Sequence, residues 1–193
     1  MILATFVRYK QATMKKITLH DKTFKLFIPY DNISAAIDEV SAKMNQDFEG
    51  CEDIPILLCV LNGSIMFMGE LMKRIDFNCQ TVSIKLTSYE GTSTTGKVKQ
   101  ALGLTADIKG RRVIIVEDIV DSGNTIVELK KILADAGAVE SYVCTLLLKP
   151  DAYKQDVQLD YVAMEIPNDF IVGFGLDYNE LGRNYKDIYV LDK

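Results

Sequence analysis

The chain has 193 residues, enough for a single domain that buries roughly 70% of its unfolded surface, and its 22 Lys and Arg against 27 Asp and Glu leave a net charge of −5. That balance, with no basic run longer than pairs such as Arg111-Arg112 and Lys130-Lys131, argues against nucleic acid as a partner, because binding a phosphate backbone needs a basic footprint. Nothing approaches the ~20 consecutive apolar residues of a membrane span, and Cys51, Cys59, Cys79 and Cys144 lack C-x-x-C spacing, so a reduced, cytoplasmic protein off the membrane is expected.

Residues 1–15 show no clear pattern and are expected to form a loose extension; the Ile2–Val7 run is too short for a signal segment. Lys16 to Ile28 alternates as a hairpin, and the only histidine, His20, falls in its turn. A lone turn histidine leaves Ser-His-Asp chemistry and His-rich zinc sites without support, so acid–base work falls to carboxylates, lysines or tyrosines. Asp31 or Asn32 is expected to cap a helix carrying Ile33, Ala36, Ile37, Val40 and Met44 on one face. Ile54 to Val60 is a continuous apolar run, as in a strand covered on both faces; Gly63 to Ile75 reads as a helix and Thr81 to Leu86 as a strand. Ser88 to Lys99 is a polar loop of a length at which active-site lids become common. Val113 to Val116 is the next strand, Asn124 to Ala136 a helix stopped by Gly137, and Val139 to Leu148 a further strand. Alternating strands and helices with short connections predict an α/β fold: a parallel twisted sheet flanked by helices, with ligands at the carboxyl ends of its strands. From Pro150 the chain turns to short strands and turns, the pattern of a small subdomain over the sheet edge.

The most informative segment runs from Val113 to Thr125. Four apolar β-branched residues lead to Glu117-Asp118, then Ile119-Val120, then Asp121-Ser122-Gly123-Asn124-Thr125 opening a helix. Three acids against a hydrophobic strand end are costly unless they bind something. The small-residue turn offers backbone N–H groups, hydroxyls and a helix N-terminus to a phosphate, with plain capping by Ser122 or Asn124 as the bland alternative. Together they suggest a phosphorylated sugar. A Walker A loop and a G-x-G-x-x-G fingerprint are both absent, and a response regulator would place its acids on different strands.

This segment resembles the 5-phosphoribosyl 1-pyrophosphate motif of the type I phosphoribosyltransferases. From about Ile17 onward the chain is similar to their hypoxanthine(-guanine), or 6-oxopurine, members through Val60-Leu61-Asn62-Gly63-Ser64, Ser88-Tyr89, Leu147-Leu148-Lys149, Glu165 to Gly173 and Leu176 to Glu180. The resemblance implies one phosphoribosyltransferase domain over 1–193, with a core of about 31–149 and a hood from about 16–28 and 150–193. It implies purine salvage: transfer of the phosphoribosyl group to hypoxanthine, with guanine as a second acceptor, by a Mg²⁺-dependent homodimer or homotetramer. A xanthine-preferring enzyme and a non-catalytic regulator on the same fold are the rival readings; the retained Asp121 and the acidic charge speak against the regulator.

Roles follow residue by residue from the resemblance. Glu117 and Asp118 hold the ribose hydroxyls, and with Asp177 the Mg²⁺ ion; Asp121, Ser122, Gly123, Asn124 and Thr125 wrap the 5-phosphate. Asp121 is the general base, a role that typically contributes ~10²–10⁴-fold. Lys149 donates to the purine 6-oxo group, Phe170 stacks on the ring, and Ile171 and Asp177 complete the purine side, although spacing alone makes Phe170 a core residue. Leu61, Asn62, Gly63 and Arg183 face pyrophosphate, and Ser88 and Tyr89 belong to a lid. The family usually carries Lys where this chain has Asn62, which puts that lysine's charge and its contacts across a subunit interface in question.

Overall fold

A computed structural model describes residues 15–87, 99–104 and 106–192. The expected lid residues Ser88 and Tyr89 and the segment 1–14 lie outside the described residues. In chain order the elements are β1 (Lys16–Leu19), β2 (Lys22–Ile28), α1 (Tyr30–Asp47), β3 (Ile56–Leu61), α2 (Ile65–Met72), β4 (Gln80–Thr87), β5 (Lys99–Leu102), β6 (Arg112–Val120), α3 (Asn124–Asp135), β7 (Glu140–Leu148), β8 (Tyr161–Glu165), β9 (Ile171–Val172) and β10 (Ile188–Leu191).

The apolar runs in β3, β6 and β7 are buried on both faces because helices cover both sides of the sheet. The six-stranded sheet has the order β5-β4-β3-β6-β7-β8, all parallel except β5. On one face Ile33, Ile37, Val40 and Met44 of α1, with Phe67 and Leu71 of α2, pack on Leu57, Ile114, Val116 and Leu146. On the other, Ile126, Leu129 and Leu133 of α3 pack on Leu58, Val60, Ile115 and Val143. This is the α/β arrangement expected from the alternation of patterns. A second, antiparallel sheet, β1-β2-β10-β9, forms the hood.

Four expectations need correction. Helix α1 begins at Tyr30 after Pro29, and neither Asp31 nor Asn32 caps it; the Tyr30 N–H instead donates to Asp187 Oδ1 at 3.0 Å, a cap supplied by the C-terminal tail. Helix α2 spans only Ile65–Met72, because residues 62–64 form a turn packed against the acidic strand and Arg74 caps the far end by donating to the Glu70 carbonyl at 2.9 Å. Strand β6 runs on to Val120, so Glu117-Asp118 lie within the strand rather than after it. Finally, β8 pairs with β7 in the main sheet, so not everything past Pro150 belongs to the hood.

The length of β6 has a structural cause and a consequence. Its ladder with β3 ends at Cys59–Val116, whereas its ladder with β7 continues to Val120–Leu148. Past Val116 β6 no longer pairs with β3, and the turn after β3 closes the resulting notch against Asp118. That notch is where the acids sit.

Candidate active site

Glu117 and Asp118 are 7% and 8% exposed, unusually low for carboxylates. Glu117 Oε2 is the one buried side-chain polar atom among the described residues that lacks a hydrogen-bond partner. Burial, reinforced by the Asp118 charge and the hydrogen bond between the two side chains, raises the Glu117 acid well above the usual carboxylate range. Burial also raises Asp118, against the opposing pull of its contacts with Glu117, nearby backbone N–H groups and the Arg183 charge. An orphaned, desolvated carboxylate at a strand end is an arrangement built for a ligand that supplies the missing donors.

The sign of the linkage gives a test. A carboxyl whose folded value lies above its unfolded one favours the fold at low pH, and that contribution is lost as pH rises from about 4.5 through the raised value. Glu117→Gln should therefore stabilise the ligand-free, EDTA-treated protein at pH 8 by about 1 kcal/mol, or roughly 2–4 °C in Tm, and flatten its pH dependence. Thermal melts from pH 5 to 8 measure this; a variant less stable at pH 8 would show that the buried charge is compensated.

The turn after β3 closes on these acids. A Cβ placed on Gly63 would overlap the Asp118 carboxylate, and one on Gly175, whose φ is +98°, would overlap the Gly63 carbonyl. Only glycine permits both approaches. The Leu61–Asn62 peptide is cis, and Asn62 turns its carbonyl toward the Ile65 N–H at 3.4 Å. Arg183 Nη1 donates to the Gly175 carbonyl at 2.7 Å and Nη2 pairs with Asp177 Oδ1 at 2.6 Å. Asn62, Gly63, Arg183 and the acidic pair are thus brought into one region, with Gly175 as a member that sequence reasoning missed.

At the start of α3, Gly123 occupies the N-cap with φ +84°, and no side chain caps the helix. The capping alternative for Ser122 and Asn124 therefore falls, and the first-turn amides stay available to an anion. Asn124 Oδ1 instead accepts from Gln155 Nε2 at 2.8 Å, and Tyr153 lies against Gly123 where a Cβ would stand.

Asp121, at the head of this turn, pairs with Lys149: Nζ to Oδ2 is 2.9 Å. Lys149 is 8% exposed while the Asp121 carboxylate is 52% exposed, so the lysine is held in the wall and the acid faces outward. Lys149 follows directly on β7, which runs beside β6, and its N–H donates to the Val120 carbonyl at 3.0 Å. That register is what joins two residues far apart in the chain.

Phe170 is 44% exposed, not the core residue that spacing suggested, and Ile171 is buried in β9. Asp177 is engaged by Arg183 and by the Glu180 N–H at 2.8 Å. Among the described residues no cluster of three or more His, Cys, Asp or Glu side chains is gathered in a geometry that could hold a metal ion. Glu117, Asp118 and Asp177 all carry hard oxygen donors of the kind Mg²⁺ takes. A cavity of about 360 Å³ lined by Phe48, Cys51, Pro55 and Phe77 lies at the amino ends of the strands, away from this chemistry.

Residues 29–179 match the phosphoribosyl transferase domain family. The hypoxanthine-guanine phosphoribosyltransferase of Streptococcus pneumoniae is 39% identical over 168 residues, covering 86% of this chain and 92% of that protein. Among solved structures, a hypoxanthine phosphoribosyltransferase from Staphylococcus aureus superposes with a TM-score of 0.80 at 34% identity, over 86% of this chain and 90% of its own. A hypoxanthine-guanine phosphoribosyltransferase from Bacillus anthracis gives 0.80 at 36% identity, over 86% and 98%. The fold, the notch at the end of β6 and these likenesses agree: the chain belongs to the phosphoribosyltransferase family, among its hypoxanthine-guanine members.

Proposed function

We propose that this chain transfers the 5-phosphoribosyl group of 5-phosphoribosyl 1-pyrophosphate to hypoxanthine, and to guanine as a second acceptor, releasing the nucleoside 5′-monophosphate and pyrophosphate. The observation that carries the reading is the Lys149–Asp121 pair beside the buried acids of β6.

A 6-oxopurine satisfies both members of that pair at once. Its O6 replaces Asp121 as acceptor for Lys149 Nζ, and its imidazole N–H replaces Lys149 as donor to Asp121. A 6-aminopurine brings a donor against a donor, so it would break the ion pair and leave the ammonium without an acceptor. On this reading the pair is both recognition element and barrier to the wrong base.

The remaining roles are those the family resemblance implies, and the geometry supports them. Glu117 and Asp118 accept from the ribose hydroxyls, which bring the donor that Glu117 Oε2 lacks. The amides and hydroxyls of residues 121–125 hold the 5-phosphate at the uncapped start of α3. As positive charge builds on the ribose, Asp121 takes the proton leaving the purine imidazole nitrogen, and Arg183 with the 61–63 turn faces the departing pyrophosphate. A Mg²⁺ ion, held by Glu117, Asp118 and donor oxygens, would neutralise part of the pyrophosphate charge. Phe170 supplies a stacking face for the purine. The family resemblance supports a homodimer or homotetramer, and the four free cysteines fit a cytoplasmic setting.

The test is a spectrophotometric assay of hypoxanthine, guanine and xanthine, each with 5-phosphoribosyl 1-pyrophosphate and Mg²⁺. Hypoxanthine turnover is expected to lead and to vanish with EDTA. Xanthine turning over best, or no base turning over, would overturn the reading.

A further inference from the structure

Two tight turns of the hood interlock beside Phe170, and neither belongs to the donor site. One is the β1–β2 turn, His20-Asp21; the other joins Tyr178 to Leu181, whose backbones exchange hydrogen bonds at 2.9 and 3.2 Å. Asn179 and Glu180 both hold left-handed backbone, φ +47° and +71°, in a two-residue turn of a kind that normally takes Asn-Gly. A non-glycine such as Glu180 is strained there, so surrounding contacts help to hold the turn.

Those contacts come from the first turn and converge on one side chain. The Tyr178 hydroxyl donates to Asp21 Oδ1 at 2.8 Å, and Lys22 Nζ lies 5.0 Å from the Tyr178 ring centroid. The His20 ring meets the same ring edge-on at 5.6 Å, and His20 Nε2 is 3.1 Å from the Asn179 carbonyl. On its other side the Tyr178 ring stands at 86° to Phe170, with centroids 5.7 Å apart. Fully buried Phe24 touches both, at 6.0 Å from Phe170 and 6.2 Å from Tyr178.

We propose that Tyr178, anchored by Asp21, is a positioning residue that fixes the Phe170 ring as the platform for the purine. The proposal rests on the reading of Phe170 as the stacking surface. Without the perpendicular ring, a half-exposed phenylalanine would spread over several rotamers, and each purine binding event would have to order it. Without the Tyr178 ring the turn keeps two of its contacts, the Glu180 N–H donating to Asp177 Oδ2 at 2.8 Å and His20 Nε2 at 3.1 Å from the Asn179 carbonyl. Loss of the Tyr178 ring should therefore weaken the purine and spare the phosphoribosyl donor.

The chain contains no tryptophan, so Phe170→Trp installs a single fluorescent reporter at the platform. Inosine 5′-monophosphate should quench that emission. Tyr178→Ala on this background should red-shift the emission and weaken the nucleotide about five-fold, within the range of an aromatic pair. In the otherwise native chain it should raise KM for hypoxanthine by a similar factor, with kcat and the donor KM changed less than about two-fold. Asp21→Ala, on a side chain 70% exposed and so harmless to folding, should shift both readouts the same way by about two-fold, and it carries the test if Tyr178→Ala does not fold. Nucleotide that binds without changing the emission of the Phe170→Trp reporter would sink the stacking reading, and the positioning proposal with it. Quenching that is normal and unaltered by Tyr178→Ala or Asp21→Ala would overturn the positioning role alone, leaving the platform standing.

Discussion

Asp121→Asn should lower kcat by about 10²–10⁴-fold while changing the affinity for 5-phosphoribosyl 1-pyrophosphate by less than about two-fold. The carboxamide is nearly isosteric and still offers Lys149 Nζ an oxygen, so the 2.9 Å contact and the turn it heads can persist. On the proposed reading the 5-phosphate is held by the amides at the uncapped start of α3, which the substitution does not touch. What disappears is the capacity to accept a proton, needed only as the purine nitrogen attacks. A loss confined to turnover is the signature of an interaction made in the transition state. Steady-state kinetics with hypoxanthine, paired with calorimetric titration of the donor, separates the two quantities. Unchanged kcat would remove Asp121 from the base role; a large loss of donor affinity would make it a phosphate-loop residue instead.

The donor half of this site was legible from the chain because its chemistry is local. Glu117, Asp118 and residues 121–125 are contiguous, and the buried strand before them and the helix after them announce themselves by pattern. What pattern could not show is that β6 outruns β3, since that depends on where a neighbouring strand ends. Nor could it show that Glu117 Oε2 is buried without a partner, which depends on how neighbouring elements pack around the end of β6.

The acceptor half was reached through family resemblance, because it is assembled by contacts distant in sequence. Lys149 and Asp121 are 28 positions apart, and Tyr178 and Asp21 are 157 apart; no periodicity connects them. Spacing alone makes Phe170 a core residue, yet it is half exposed, with the fully buried Phe24 ring 6.0 Å from it taking the core position. The cap of α1 failed for the same reason. Asp31 and Asn32 have the right chemistry, but Pro29 fixes the entry and Asp187, from the far end of the chain, supplies the acceptor.

Lys149→Met should reduce kcat/KM for hypoxanthine by about 10–100-fold, mostly through KM, with donor KM changed less than about two-fold. Methionine keeps the aliphatic stem that lines the wall, so a packing defect is small and the missing element is the ammonium. A hydrogen bond from a charged donor contributes about 1.5–3 kcal/mol, or roughly 10–150-fold. Two effects then combine in the variant. The purine O6 loses its donor, and Asp121 loses the cation at 2.9 Å that holds it in place. Being 52% exposed, the Asp121 carboxylate can be solvated by water instead, so the fold should survive, with a Tm within a few degrees of the parent. Discrimination provides the sharper readout. In the parent chain a 6-aminopurine must break the ion pair and leave an ammonium unsatisfied; in Lys149→Met neither cost exists. The hypoxanthine-to-adenine ratio of kcat/KM should therefore fall by more than the hypoxanthine value alone does. A variant with unaltered purine KM and unaltered discrimination would show that Lys149 only supports Asp121 and does not read the base.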